Sequence, residues 1–474
     1  MRTTFHLKTL AVAIATLSVA SITNAAGLDR SGQDVTAFFQ DGTYAEAVYT
    51  YIDADVSGYD SANTNPSQNN YVRGDKTGDI AESYDFFRYG VKADINDTFS
   101  IGILYDEPFG AAAEYTQSNF VSQGDVDASI ASITNGAAPS LAAAQAGIGA
   151  LAAGETAGVL TPEQQAQLDG LRGAVAVAQA EASTAGENTN VEVRSQSLTG
   201  ILGMKFGANK NFQVYGGPVA QRTQSETKLR GLAYGPASGY TSNSNPDMDY
   251  GYIAGIAYSK PEIALKAALT YRSEIDHDIQ ISESYPLVAI RATAAGATPE
   301  QAAAAANRNS KYEITTPKSV NFDFQTGINP TTLATAKVRW VPWSDFIITP
   351  PLYNDTSKIS YGPDGLNLVE YKDDQWQVEL GLAKRVAPAL AISGTVGWDS
   401  GAGNPVTSLG PVEGYYSVGL GAKYNFTENW AVSAGGKYLW FGDAQGALPT
   451  DKIVADFEDN DGFIAGVKLS YQAL

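Results

Sequence analysis

The 474-residue chain carries 51 acidic and 31 basic side chains, a net charge of −20, no cysteine and two histidines. The negative balance argues against nucleic acid as a partner, and the missing cysteines exclude thiolate metal sites and cysteine nucleophiles. No stretch beyond the N-terminal leader offers about 18 uninterrupted apolar residues, so no helix is expected to cross a membrane.

The leader comes first. Arg2 and Lys8 form a basic start, residues 10–20 an apolar run, and Thr23-Asn24-Ala25 a small-residue cleavage site. Residues 1–25 therefore read as a secretory signal peptide, and its removal takes the net charge from −20 to −22 through loss of Arg2 and Lys8. A short polar segment, 26–42, precedes the first strand pattern. From there, fourteen segments show period-two alternation: 44–56, 84–95, 99–115, 191–206, 212–224, 250–258, 263–275, 319–328, 333–343, 376–384, 390–398, 415–426, 430–441 and 463–471.

The run 414–444 is the clearest. Tyr416, Val418, Leu420, Ala422, Tyr424 and Phe426 fall on one face, and Ser417, Gly419, Gly421 and Lys423 on the other. In the following strand, Trp430, Val432, Ala434, Tyr438 and Trp440 oppose Ala431, Ser433, Gly435 and Lys437. Aromatic ends and aliphatic centres on one face are the outer surface of a membrane β-barrel. The six tryptophans lie at or near expected strand ends. Connections alternate between short, turn-forming links and long polar ones, which places both chain ends in the periplasm. The fold class is thus all-β: a transmembrane antiparallel barrel over 43–474, multi-pass in a bacterial outer membrane, with divalent-rich lipopolysaccharide and membrane lipid as its surroundings and a monomeric state.

Two long connections, 124–187 and 284–316, are rich in alanine and read as external helical inserts. Thr161 with Gln164, and Thr298 with Gln301, each resemble a capping box followed by proline at the first helical position. An unpaired cation facing lipid costs about 2–4 kcal/mol at the midplane, and strand parity puts Arg88, Lys266, Arg272, Lys337 and Arg339 on the lumen side. These are the candidates for binding a substrate carboxylate, with Arg339 and Arg272 foremost. Lys384 falls on the lipid parity near a strand end, where it can snorkel.

The third strand is broken at Asp106, Glu107, Pro108, Phe109 and Gly110. Proline lacks a ladder donor and glycine weakens a strand, so this is either the strand top or a kink that opens the wall. No catalytic residues stand out. His277 has no matching serine and reads as a surface-loop histidine. The acidic stretch 456–462 reads as an external loop; aligned to a calcium loop it would put Phe457 and Lys468 at ligand positions, so the match fails and no metal or cofactor is expected.

Taken together, AGLDRSGQDVTAFFQDGTYAEA (26–47), YDEPFGAAAEY (105–115), KPEIALKAALTYRSEIDH (260–277), TTPKSVNFDFQTGINP (315–330) and VRWVPWSDF (338–346) resemble the FadL/TodX family of outer-membrane transporters. The resemblance implies a fourteen-stranded barrel with an N-terminal hatch, here residues 26–42 including Asp29, Arg30, Phe38 and Phe39. It also implies an external capture groove, an internal acyl-chain site, and lateral release at a kinked third strand. The expected function is passive transport of long-chain fatty acids or other hydrophobic molecules. The alternatives are a general diffusion porin for small polar solutes or a structural, adhesive surface barrel.

Overall fold

The computed structural model describes residues 27–473; the signal-peptide reading for residues 1–25 lies outside them. Fourteen antiparallel strands close into a barrel. They are β1 (Thr43–Asp55), β2 (Tyr84–Asp94), β3 in two pieces (Phe99–Asp106 and Gly110–Tyr115), β4 (Thr189–Phe206), β5 (Phe212–Lys228), β6 (Asp247–Lys260) and β7 in two pieces (Leu265–Arg272 and Ile275–Ser284). The others are β8 in two pieces (Asn307–Thr316 and Ser319–Asn329), β9 (Thr332–Val341), β10 (Gln375–Ala387), β11 (Leu390–Asp399), β12 (Glu413–Asn425), β13 (Trp430–Gly442) and β14 (Asp461–Ala473). Closure is made by β1 against β14, in unbroken register from Thr43–Ala473 to Asp55–Asp461. Closure removes the two free edges an open sheet would present to lipid, which is what a membrane sheet requires.

The alternation works as a wall. Leu420 is 74% exposed on the outside, whereas Lys423, of opposite parity in the same strand, is 3% exposed. Leu380, Leu382, Val396, Val418, Val467 and Leu469 belong to the same outer band. Lys384 is on this face at the end of β10, close to the short turn. Trp376, Trp398, Trp430 and Trp440 are exposed, but Trp343 is not. It is fully buried above the lumen, packed edge-on against Phe109, Phe346 and Tyr371. Gly27, at φ +74°, lies so close that a Cβ there would come within 2.5 Å of the Trp343 ring.

The long connections fold into an external crown. Between β3 and β4 lie α1 (Val126–Ile133), α2 (Leu141–Ala157) and α3 (Pro162–Ala182). Between β7 and β8 lie α4 (Pro286–Ala294) and α5 (Pro299–Ala306). Thr161 and Thr298 each close a full capping box. The 284–316 connection departs from expectation at its end. Asn307–Thr316 is a strand, because Ile275–Ser284 continues β7 above the membrane and supplies a partner for all ten residues.

Other parts of the crown escape local reading. A five-stranded sheet is assembled from Val406–Thr407, Ala444–Ala447, Ile453–Phe457, Gly58–Ser61 and Arg73–Lys76, drawn from three different connections. The 456–462 stretch, expected as a loop, is split between that sheet and the start of β14. Helix α6 (Pro351–Tyr361) has no side-chain cap of its own. Its first amides, at Leu352 and Tyr353, donate instead to the buried Glu283 carboxylate at the top of β7, at 2.9 and 3.0 Å.

Candidate functional site

The wall is interrupted in β3. The ladder between β2 and β3 runs from Asp94–Ser100 to Tyr89–Tyr105 and stops there among the described residues. Beyond Asp106 the chain passes through Pro108 and resumes as Gly110–Tyr115, paired with β4 along its length and joined on its other side to the residues before β2, through the Ala81–Ala113 bridge. The proline is a kink inside the strand, not its top. The upper part of β2 thereby loses its neighbour.

The N-terminal segment fills the gap from inside. Arg30 N donates to Pro108 O at 2.8 Å, and Gly110 N donates to Leu28 O at 2.8 Å. Arg30 Nε donates to Gly110 O at 2.7 Å, and its guanidinium lies over the Tyr84 ring, 4.3 Å from the centroid. Tyr84 in turn donates to Glu107 at 3.0 Å, and Ser31 donates to Asp106 at 2.8 Å. The freed backbone groups of the kink are thus shared between the N-terminal segment, at Pro108 and Gly110, and Ser195 of β4, at Phe109, which is how broken backbone is tolerated in a membrane wall. All five residues named for the strand break, Asp106 through Gly110, are in contact with this arrangement or part of it.

The lumen cations bind the N-terminal segment, the expected hatch. Arg339 donates from Nε and Nη2 to the two oxygens of Asp29, at 2.6 and 3.1 Å, a bidentate pair buried from solvent. Lys337 donates to Asp34 at 2.8 Å. Arg88 lies 3.6 Å from Asp34 and 3.5 Å from Glu46. Lys266 donates to the Phe39 carbonyl at 2.6 Å. Phe38 and Phe39 pack on Tyr215, the centroids 5.8 and 5.2 Å away. Arg272 differs from these: it is 3% exposed and donates to the hydroxyls of Thr199 and Ser197, at 3.1 and 3.5 Å.

Three cavities bear on the site. An outer one of about 60 Å³ is lined by Leu232, Tyr234, Tyr285, Leu287 and Tyr353, together with the cations Arg291 and Lys452. Lys452 donates to Asn65 O at 2.7 Å, and burial pushes its ammonium down to about 8. A second, of about 50 Å³, lies against the kink and is lined by Leu28, Ala111, Val193, Tyr312, Leu368 and Tyr371. The largest of the three, about 220 Å³, is at the short-turn end, beside Phe38 and Phe39 of the N-terminal segment and the small residues Gly381, Gly419, Gly421 and Gly435. The glycines that look like weak strand positions in the sequence are the ones that leave this room.

His277 is not on a surface loop. It sits in the upper piece of β7 with its side chain fully buried, because odd-numbered residues of that piece face inward. Sequence reasoning also missed the outer-cavity residues Arg291 and Lys452; no local pattern marks them, since the cavity lining comes from five separate connections.

The family model for the outer membrane protein transport protein (OMPP1/FadL/TodX) matches residues 20–471. No curated protein sequence matches the chain. Among solved structures it is similar to a Pseudomonas aeruginosa FadL homologue (TM-score 0.59, 14% identity, 92% of this chain and 91% of that one). It is also similar to the P. putida toluene transporter TodX (TM-score 0.52, 12% identity, 96% and 94%). The chain belongs to the OMPP1/FadL/TodX family: it is an outer-membrane channel for hydrophobic compounds and not an enzyme.

Proposed function

We propose that this channel captures a hydrophobic molecule in its outer cavity, passes it to the cavity beside the kink, and releases it sideways into the membrane between β2 and β3. The observation that carries this is the ladder that stops at Tyr89–Tyr105, with hatch residues Leu28–Arg30 bonded to the kink in place of a strand. An apolar ligand needs no energy source for this path. Each buried methylene contributes about 0.8 kcal/mol, so a long chain gains on the order of 10 kcal/mol on entering an apolar site and keeps it on entering lipid.

Where the molecule carries a carboxylate, Arg272 is the residue best suited to meet it. It is a buried lumen cation whose hydrogen bonds go to hydroxyls; Asp106 is near enough to act on it electrostatically but takes none of those bonds, so the hydroxyls can be exchanged for a ligand carboxylate. Arg339, Lys337 and Arg88 already face hatch or wall acids, and Lys266 is bonded to a hatch carbonyl; they become available only as the hatch moves. Fatty acids or other hydrophobic molecules are the substrate class, and the barrel acts as a monomer among outer-membrane lipid and lipopolysaccharide. The filled lumen at hatch level speaks against a general porin.

The test is uptake of labelled long-chain fatty acid, alkane and aromatic by cells lacking the chain, complemented with the wild type or with a variant deleted of Pro108 and Phe109. Uptake of at least one of these should require the wild type and fall in the deletion. Unchanged uptake of all three would end this reading.

A further inference from the structure

The geometry points to a divalent transition-metal site at the barrel rim, made by Asp247, Asp249 and His277. Asp247 and Asp249 are successive inward residues at the start of β6, and His277 is the inward residue of the upper piece of β7 beside them. One potential ligand atom from each lies within 4.8 Å of the other two. His277 Nδ1 is 3.6 Å from Asp247 Oδ2 and 3.9 Å from Asp249 Oδ2.

Two features separate this cluster from an ordinary acidic patch. First, His277 Nδ1 and Asp247 Oδ2 are both buried without a hydrogen-bond partner, and they face each other. Thr223, which pairs with Asp247 across the β5–β6 ladder, also has a buried hydroxyl with no partner. Second, the imidazole is oriented. Its Nε2 lies 3.1 Å from Gln221 Oε1, and that same oxygen accepts from the Thr316 hydroxyl at 2.8 Å. An acceptor opposite Nε2 places the ring proton there and leaves a lone pair on Nδ1. A lone pair aimed at two carboxylates, of which Asp249 also accepts from Asp278 N at 3.4 Å, is repulsive until a proton or a metal ion comes between them. Holding a ligating histidine through its other nitrogen is what metal sites do.

The donor set selects the ion. One neutral imidazole nitrogen and two carboxylate oxygens suit zinc and its neighbours, whereas calcium takes 6–8 oxygens and magnesium keeps an octahedral shell of oxygens. Atoms about 2.0–2.2 Å from a tetrahedral zinc are about 3.4 Å apart, close to the separations here. Three protein ligands leave the remaining position to water. The ion would tie β6 to β7 just above the break in β7 at Ser273-Glu274.

The experiment uses the full chain purified in detergent, stripped with EDTA and dialysed. Zinc ion is titrated calorimetrically, and bound metal is counted by mass spectrometry. We expect about one zinc per chain, with affinity lowered about tenfold or more in Asp249→Asn and in His277→Gln. Zinc should raise the unfolding temperature of the wild type and not of Asp249→Asn, whose altered side chain is partly exposed and leaves the fold intact. Cobalt added to the stripped wild type should give a visible band removed by zinc and not by equal calcium. Absence of bound zinc, retention of full affinity in both variants, or equal competition by calcium would each overturn the assignment.

Discussion

Arg30 and Gly110 are joined by a hydrogen bond from the guanidinium Nε to the carbonyl, 2.7 Å long and buried. A residue of the N-terminal segment therefore closes on the strand residue that follows the proline break, 80 positions away. Two backbone hydrogen bonds, at Pro108 and Leu28, complete the seal.

Arg30→Ala removes the charged bond and leaves the two backbone ones. A hydrogen bond to a charged group contributes about 1.5–3 kcal/mol, so the seal should loosen without loss of the barrel. The expected outcome is faster amide hydrogen exchange at Arg30 and Gly110 and a higher small-ion conductance in planar bilayers. Exchange and conductance equal to the wild type would show that the side chain seals nothing.

Asp29→Asn should be worse than removing both partners of its pair. It leaves Arg339 buried opposite a neutral group, at a cost of about 3–5 kcal/mol for an uncompensated buried charge. The double variant Asp29→Leu/Arg339→Leu leaves no such charge. Limited proteolysis of the 27–42 segment should therefore be fast in the single variant and close to wild type in the double. The reverse order would contradict a hatch anchored by this ion pair.

Two volume changes separate the possible exits. Ser393 lines the large cavity below the hatch, so Ser393→Trp obstructs a path to the periplasm and should leave uptake unchanged. Gly110→Val acts at the kink: its Cβ would meet Val193 O at 3.0 Å and Arg30 Nε at 3.3 Å. Overpacking of this kind costs about 1–3 kcal/mol, and uptake should fall. Loss of uptake in Ser393→Trp alone would place the exit downward.

The outer cavity should distinguish acids from neutral ligands by pH. Burial lowers Lys452 to about 8, so its ammonium is charged below that pH and neutral above it. A carboxylic acid ligand is charged above about 4–5. Its affinity should be highest between about pH 5 and 8 and decline as Lys452 loses its proton, while a neutral hydrocarbon shows no such decline. Lys452→Met should abolish the difference. For stability the sign is the same as for any buried lysine: the unfolded chain holds its proton to higher pH, so stability rises from about pH 8 towards the unfolded value of about 10.4. Thermal melts of the wild type and Lys452→Met at pH 7 and 9 read this directly.

Much of the barrel was legible because the signal is local. Alternation placed Leu420 outside and Lys423 inside, and it put Arg88, Lys266, Arg272, Lys337 and Arg339 on the lumen side, where they are found. Pro108 and Gly110 identified the break because proline removes a ladder donor wherever it lies. What each lumen cation does was not legible. Arg339 and Asp29 are 310 positions apart, and no spacing rule connects them. His277 was misplaced for a related reason: parity was read only as far as the membrane, whereas β7 continues above it and carries the histidine into a buried position.

The sequence by itself determined the wall: the number of strands, their facing, their alternating connections and the outer-membrane address. Each follows from the two-residue period of a strand and the cost of exposing charge or unpaired backbone to lipid. Only the tertiary structure decided what fills and controls that wall. The pairing of Leu28–Arg30 with the kink, the Asp29–Arg339 clamp, the capping of α6 by Glu283 and the meeting of His277 with Asp247 and Asp249 all arise where strand ends and connections converge. Their partners are brought together by closure of the barrel, and closure is a property of all fourteen strands at once.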